Sequence, residues 1–318
     1  MRTEQSFLPS GVRVATVGAA VWLILAAGIL LNFFWLSIFN LLFLLAAWVV
    51  VPLALNLLPA QRSRVSQVNE LVIRCLLLPG AALITLSFFL KDGLRAGALV
   101  CIWLVVTIAM ALDGLERLLR TRLQSFVEFC FAFAEGYALV GALWLMASRL
   151  GMQPVGFHEP IVLLTAIHFH YAGLMAAILA GLAASSVRAS PLLRTALSCA
   201  VVGPGLLGLA FLVGPRLKLA AVGLMVIGEC AIAFATFRVG FAEAGKFGGR
   251  FLLVGCVCVI LGMTLAGVWA VGEYPLHSFV NLEQMARYHG VLNSIGFGLC
   301  SLVGWRLLRQ NPSASRQV

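Results

Sequence analysis

Apolar runs of about twenty residues recur along the chain, broken by short groups of charge, Pro and Gly. A helix of that length crosses a bilayer core about 30 Å thick. Ten runs qualify, at 14–32, 35–57, 71–90, 94–112, 126–148, 160–184, 193–213, 218–237, 250–271 and 286–308. They predict an all-α, polytopic bundle of transmembrane helices. Only Leu31 to Trp35 separates the first two, with Asn32 as the sole polar residue, so this junction reads either as a tight turn or as a kink in one long segment. Connections are short, Gln61 to Glu70 being the longest cytoplasmic loop expected. The organisation predicted is a tail at 1–13, a single transmembrane domain at 14–308 and a tail at 309–318. Met1 to Ser10 is polar and the first run leads into a second span, so no cleavable signal peptide is expected. No internal repeat is visible, although ten spans would give the two halves opposite topology, as in many transporters.

Composition agrees with the pattern. Of 318 residues, 62% are hydrophobic and 11% charged, and the mean hydropathy is +1.03. A water-soluble globular surface needs far more charge, so that class is excluded. Lys and Arg are retained on the cytoplasmic side of a membrane. Lys91, Arg95, Arg149, Arg216, Lys218 and Arg287 fall on one side, and the other sixteen basic residues fall at the two termini and the even-to-odd loops. Both termini are therefore expected to be cytoplasmic, in a bacterial cytoplasmic (inner) membrane. The same excess accounts for the net charge of +10 without nucleic acid as a partner. All eight cysteines lie inside predicted spans and none forms a Cys-x-x-Cys pair, so they read as small core residues.

Polar residues buried in a bilayer cost free energy and must face protein or water, so they mark candidate chemistry. Glu135 lies about nine residues into the fifth predicted span and Glu229 midway along the eighth. A carboxylate at that depth is either protonated or held by a cation or hydrogen-bond donors. The sixth span carries Thr165, His168, His170 and Tyr171. On a regular helix the two histidines point about 200° apart, a poor metal chelate, whereas Thr165, His168 and Tyr171 share a face. In the tenth span His289 and Asn293 sit at i and i+4. Glu135, His168, His170 and Glu229 are the candidate catalytic groups. Thr165, Tyr171, Tyr137, His289 and Asn293 are the candidate substrate contacts, and no metal or cofactor is expected. Similar depths suggest one shared cavity. His158, Glu159, Glu273, His277, Asn281 and Glu283 shape a rim at the outer side, and Asp113, Glu116, Arg117 and Arg120 read as a solvated charge cluster at the inner side.

The segments Leu164 to Gly173 (LTAIHFHYAG) and His289 to Phe297 (HGVLNSIGF) resemble the YndJ-like membrane protein family, over roughly residues 70–310. The resemblance implies a polytopic bacterial membrane protein and brings no activity or catalytic residue with it. Two function classes remain. One is a membrane-embedded enzyme using cofactor-free general acid–base chemistry on a lipophilic, isoprenoid-like substrate, such as isomerisation, cyclisation or epoxide opening. The other is a proton-coupled transporter of a small or lipophilic solute, for which midplane carboxylates and the helix-breaking Pro204-Gly205 pair are equally natural. A haem- or metal-binding role, suggested by the His-Phe-His-Tyr run, is a minor third. Membrane lipid is the expected partner in each case, and the oligomeric state is not specified by the sequence.

Overall fold

The computed structural model describes residues 8, 10–61, 63–187, 189–273 and 281–310. Ten of its helices are long and apolar enough to span a membrane: α1 Gly11–Leu30, α2 Ile38–Leu57, α3 Arg64–Phe88, α4 Leu94–Thr121, α5 Phe126–Leu150, α6 Ile161–Ser186, α7 Pro191–Val213, α8 Pro215–Ala242, α9 Phe247–Gly272 and α10 Glu283–Gln310. There is no strand element among the described residues. Large apolar side chains such as Leu23, Ile24, Leu94 and Phe241 are exposed on these helices, as a protein bathed in lipid requires. His277 and most of both terminal tails lie outside the described residues.

Each predicted span is a helix, and the differences are at the ends. The junction at Leu31 to Trp35 is a turn, with Asn32 at φ 59° and Ser37 capping α2 through the amide of Asn40. Helix α3 begins at Arg64 because Ser63 accepts from the Ser66 amide, so most of the expected Gln61–Glu70 loop is its first turns. Helix α4 continues to Thr121, well past its apolar run, since backbone hydrogen bonding does not stop where charge begins. Helix α7 runs straight through Pro204. Wider π-helical turns interrupt α2 at Ala46–Val50, α6 at Phe169–Met175 and α10 at Leu292–Leu299. The latter two take in His170 and Tyr171 of the sixth span and Asn293 of the tenth, and such turns are frequent at functional sites.

The helices form two compact units, Met1–Ile178 and Leu179–Val318. In the first, α1 packs on α2, α3 on α4, α4 on α5, and α5 on the first part of α6. In the second, α7 packs on α8, α8 on α9, and α9 on α10. Lipid tails are as apolar as leucine, so small residues that admit close backbone approach hold such pairs. Gly18 of α1 lies directly against the backbone of Trp48 in α2, and Gly228 of α8 against Ala200 in α7. Gly18→Leu is therefore expected to pry α1 from α2 at a cost of about 1–3 kcal/mol, read as a lower unfolding midpoint in detergent. An unchanged midpoint contradicts the close contact.

Candidate functional site

The densest polar site lies in the first unit, where the C-terminal part of α4 meets the N-terminal part of α5. The buried stripe of α4 runs through Trp103, Val106, Met110, Asp113 and Arg117, at the i, i+3, i+4 and i+7 spacing of one helix face. Gly114 lets the α5 backbone at Ala132 come close and leaves room for the Glu135 side chain. Ser125 caps α5 and sets Glu128 in its first turn. The result is a guanidinium with no solvent exposure and acceptors on every side. Arg117 donates from Nε to Glu135 Oε2 at 2.9 Å, from Nη1 to Glu128 Oε2 at 3.0 Å and from Nη2 to the Pro59 carbonyl at 2.8 Å. Its Nη2 also lies 3.6 Å from Asp113 Oδ2.

The α2–α3 connection closes over this group. Gln61 donates from Nε2 to the Asp113 carbonyl oxygen at 3.1 Å and to Asp113 Oδ2 at 2.8 Å, and Ser63 Oγ donates to Glu116 Oε2 at 2.7 Å. Arg120, more than half exposed, lies 3.6 Å from Glu128 at the edge. The charge cluster that the sequence suggested was solvated is thus buried at its centre, because Asp113 and Arg117 continue the core stripe of α4. At 1.5 Å per residue the network reaches about 14 Å along α5, from its start to Glu135, nearly half the thickness of a bilayer core.

Six residues further along α5, Gly141 faces His170 of α6, and a Cβ there would lie 2.5 Å from His170 Nδ1. His170 is fully buried. Its Nδ1 is 2.8 Å from the Ala166 carbonyl, an acceptor only, so Nδ1 carries the hydrogen and Nε2 accepts from Trp103 Nε1 at 3.4 Å. The ring stacks on Trp103 and meets Phe43 edge-on at 4.9 Å. Tyr171 is buried and donates to the Leu42 carbonyl at 2.9 Å. Thr165 donates to its own helix at Ile161. His168 is half-buried and edge-on to Phe169, whose ring stacks on that of Tyr137 at 5.5 Å.

In the second unit, Glu229 is buried at the middle of α8 with Oε2 unpartnered among the described residues. His289 and Asn293 form a knot at Gly262 of α9. His289 Nδ1 lies 2.9 Å from the Gly262 carbonyl, and Asn293 Nδ2 donates to the His289 carbonyl at 2.9 Å. Among the described residues no three His, Cys, Asp or Glu side chains are grouped to hold a metal ion. Within the first unit the structure gathers Glu135 with Arg117, Asp113, Glu128 and Gln61, none of which the sequence reading placed in a site. The signal available was the position of Asp113 and Arg117 on the apolar stripe of α4. His170→Phe keeps the ring stacking but strands the Trp103 N–H, and a loss of about 1–3 kcal/mol in unfolding free energy is expected. No loss would mean that the Trp103–His170 hydrogen bond contributes nothing.

The YndJ-like protein family matches residues 41–297. A relative, the uncharacterized membrane protein YndJ of Bacillus subtilis (strain 168), is 26% identical over 219 residues, which is 69% of this chain and 40% of that protein. The chain thus spans about two-fifths of the length of the curated relative it matches. No solved structure matches. With 257 of the 318 residues matched, among them every named partner of Arg117 and His170, the chain belongs to the YndJ-like protein family.

Proposed function

We propose that this membrane protein is a proton-handling transporter, a permease that couples a small or lipophilic solute to proton movement, in the cytoplasmic membrane of a bacterium. One observation carries the reading: the buried Arg117 network places three carboxyl groups, Asp113, Glu128 and Glu135, around one guanidinium. Intramembrane carboxylates paired with arginine are the ordinary parts of proton relays in pumps and transporters. The excess of Lys and Arg on one side supports placing both termini and the open end of this network, at Arg120 and Glu128, in the cytoplasm. From there the polar groups lead inward to Glu135 and, about 9 Å further along α5, to the Gly141–His170 contact.

The acid–base enzyme receives less support from the same geometry. A general acid or base must reach its substrate with a free polar atom. Glu135 is paired with Arg117 through Oε2, so that only Oε1 is without a donor among the described residues, and both nitrogens of His170 are engaged. Among the described residues, Glu229 alone of the candidate catalytic carboxyls has no cation beside it, and it remains the residue on which an enzyme reading would rest.

The test uses purified protein in proteoliposomes containing a pH-sensitive dye, with a potassium diffusion potential imposed. The wild type is expected to admit protons faster than protein-free vesicles, and Glu135→Gln to fall to the protein-free rate. Equal rates for the wild type and Glu135→Gln contradict the proposal.

A further inference from the structure

Asp113 and Glu135 are both completely buried, and they flank a single guanidinium, with Arg117 Nη2 3.6 Å from Asp113 Oδ2 and Arg117 Nε 2.9 Å from Glu135 Oε2. One oxygen of each is engaged: Asp113 Oδ2 accepts from Gln61 Nε2 at 2.8 Å, and Glu135 Oε2 from Arg117 Nε at 2.9 Å. The other oxygens, Asp113 Oδ1 and Glu135 Oε1, have no donor among the described residues, and neither has Gln61 Oε1. The hydrogen bonds of the site's donors go elsewhere, those of Arg117 to Glu135, Glu128 and Pro59 and those of the Gln61 amide to Asp113 Oδ2 and the Asp113 carbonyl.

Two ionised carboxylates facing each other in a low-dielectric site repel. One proton placed between them converts the repulsion into a short, charge-assisted hydrogen bond. The charges that face the pair give the same answer. Among the described residues, Glu116, Arg117 and Arg120 come from α4, Glu128 comes from α5, and the α2–α3 connection contributes the neutral Pro59 carbonyl, Gln61 and Ser63. Glu128 takes Arg117 and the half-exposed Arg120, and Glu116 takes Ser63. Among the described residues Arg117 is then the one guanidinium beside two further carboxyls. A monovalent metal ion is a poor alternative, because Arg117 already stands 2.9 Å from Glu135 and 3.6 Å from Asp113 and repels a second cation.

We propose that Asp113 and Glu135 form a proton-binding dyad that holds one shared proton. The inference deepens the proton-handling reading of this site and rests on it for its role, while naming the ligand and the two groups that bind it. Release of the proton leaves two carboxylates beside Arg117, and the added charge pulls on the Gln61 and Pro59 contacts that close the α2–α3 connection.

Infrared difference spectroscopy of the full chain in phosphatidylethanolamine–phosphatidylglycerol vesicles reads the proton directly, through the C=O stretch of a protonated carboxyl and its shift in heavy water. Glu229, buried with no cation beside it among the described residues, is a second source of such a band, so the measurement is made in Glu229→Gln. One carboxyl band is expected to remain at neutral pH, to be insensitive to exchange of potassium for sodium, and to vanish when either Asp113→Asn or Glu135→Gln is added. Absence of any band in Glu229→Gln overturns the dyad, and that reading does not depend on whether the dyad variants fold. A band removed by sodium overturns it in favour of a metal-ion site, and a band that survives Asp113→Asn shows an unshared proton. A band without proton flux in proteoliposomes leaves the dyad standing and removes the transporter, whereas flux without the band does the reverse.

Discussion

A guanidinium inside a membrane protein cannot give up its charge, so every N–H that it carries must find an acceptor. Arg117 imposes that requirement on the first unit. Its acceptors come from three places in the chain: Asp113 on its own helix, Glu128 and Glu135 on α5, and Pro59 in the α2–α3 connection. Meeting all of them fixes the α4–α5 crossing, the depth of Glu135 and the path of residues 58–63 together. A buried ion pair contributes little net stability compared with apolar packing, but removing one member leaves the other charged and unpaired. The network therefore works more as a constraint on geometry than as a source of stability.

The other buried polar groups follow a common rule. Helices in a bilayer pack through small residues, and here the space left by a missing side chain is where a polar one lodges. Gly114 faces Glu135, Gly141 faces His170, Gly262 faces Asn293, and Gly255 faces Ser301, whose Oγ would lie 2.5 Å from an added Cβ. Each pair lies within one unit. The widened turns of α6 and α10 displace the side chains of Phe169–Met175 and Leu292–Leu299 from the positions a regular helix gives them. Close approach and local widening together let an apolar bundle hold imidazoles and carboxyls at depth.

The ten spans were legible because apolar run length is a direct response to bilayer thickness. Helix ends were less so: α3 and α4 extend through Arg64–Glu70 and Asp113–Thr121, where polar side chains hide a continuing backbone ladder. Glu135 and His170 stood out as polar residues in apolar surroundings, and the structure buries both. Their partners were not recognised. Asp113 and Arg117 sit beyond the apolar run, where charge normally meets water, and only their phase relative to Trp103, Val106 and Met110 marks them as core. The sharing of a face by Thr165, His168 and Tyr171 assumed a regular helix, and π-helical turns leave no trace in a single sequence. Gln61 and Pro59 reach the site through a loop, which periodicity cannot foresee.

The central claim is that Arg117 and Glu135 are energetically one unit. It is tested most directly by a double-mutant cycle on unfolding free energy in detergent, with Arg117→Met, Glu135→Met and the double variant. Each single change strands a buried charged or polar partner and is predicted to cost about 3–5 kcal/mol, while the double variant costs clearly less than the sum of the two. Additive costs would contradict the account, showing that the two side chains are close in space but independent in energy.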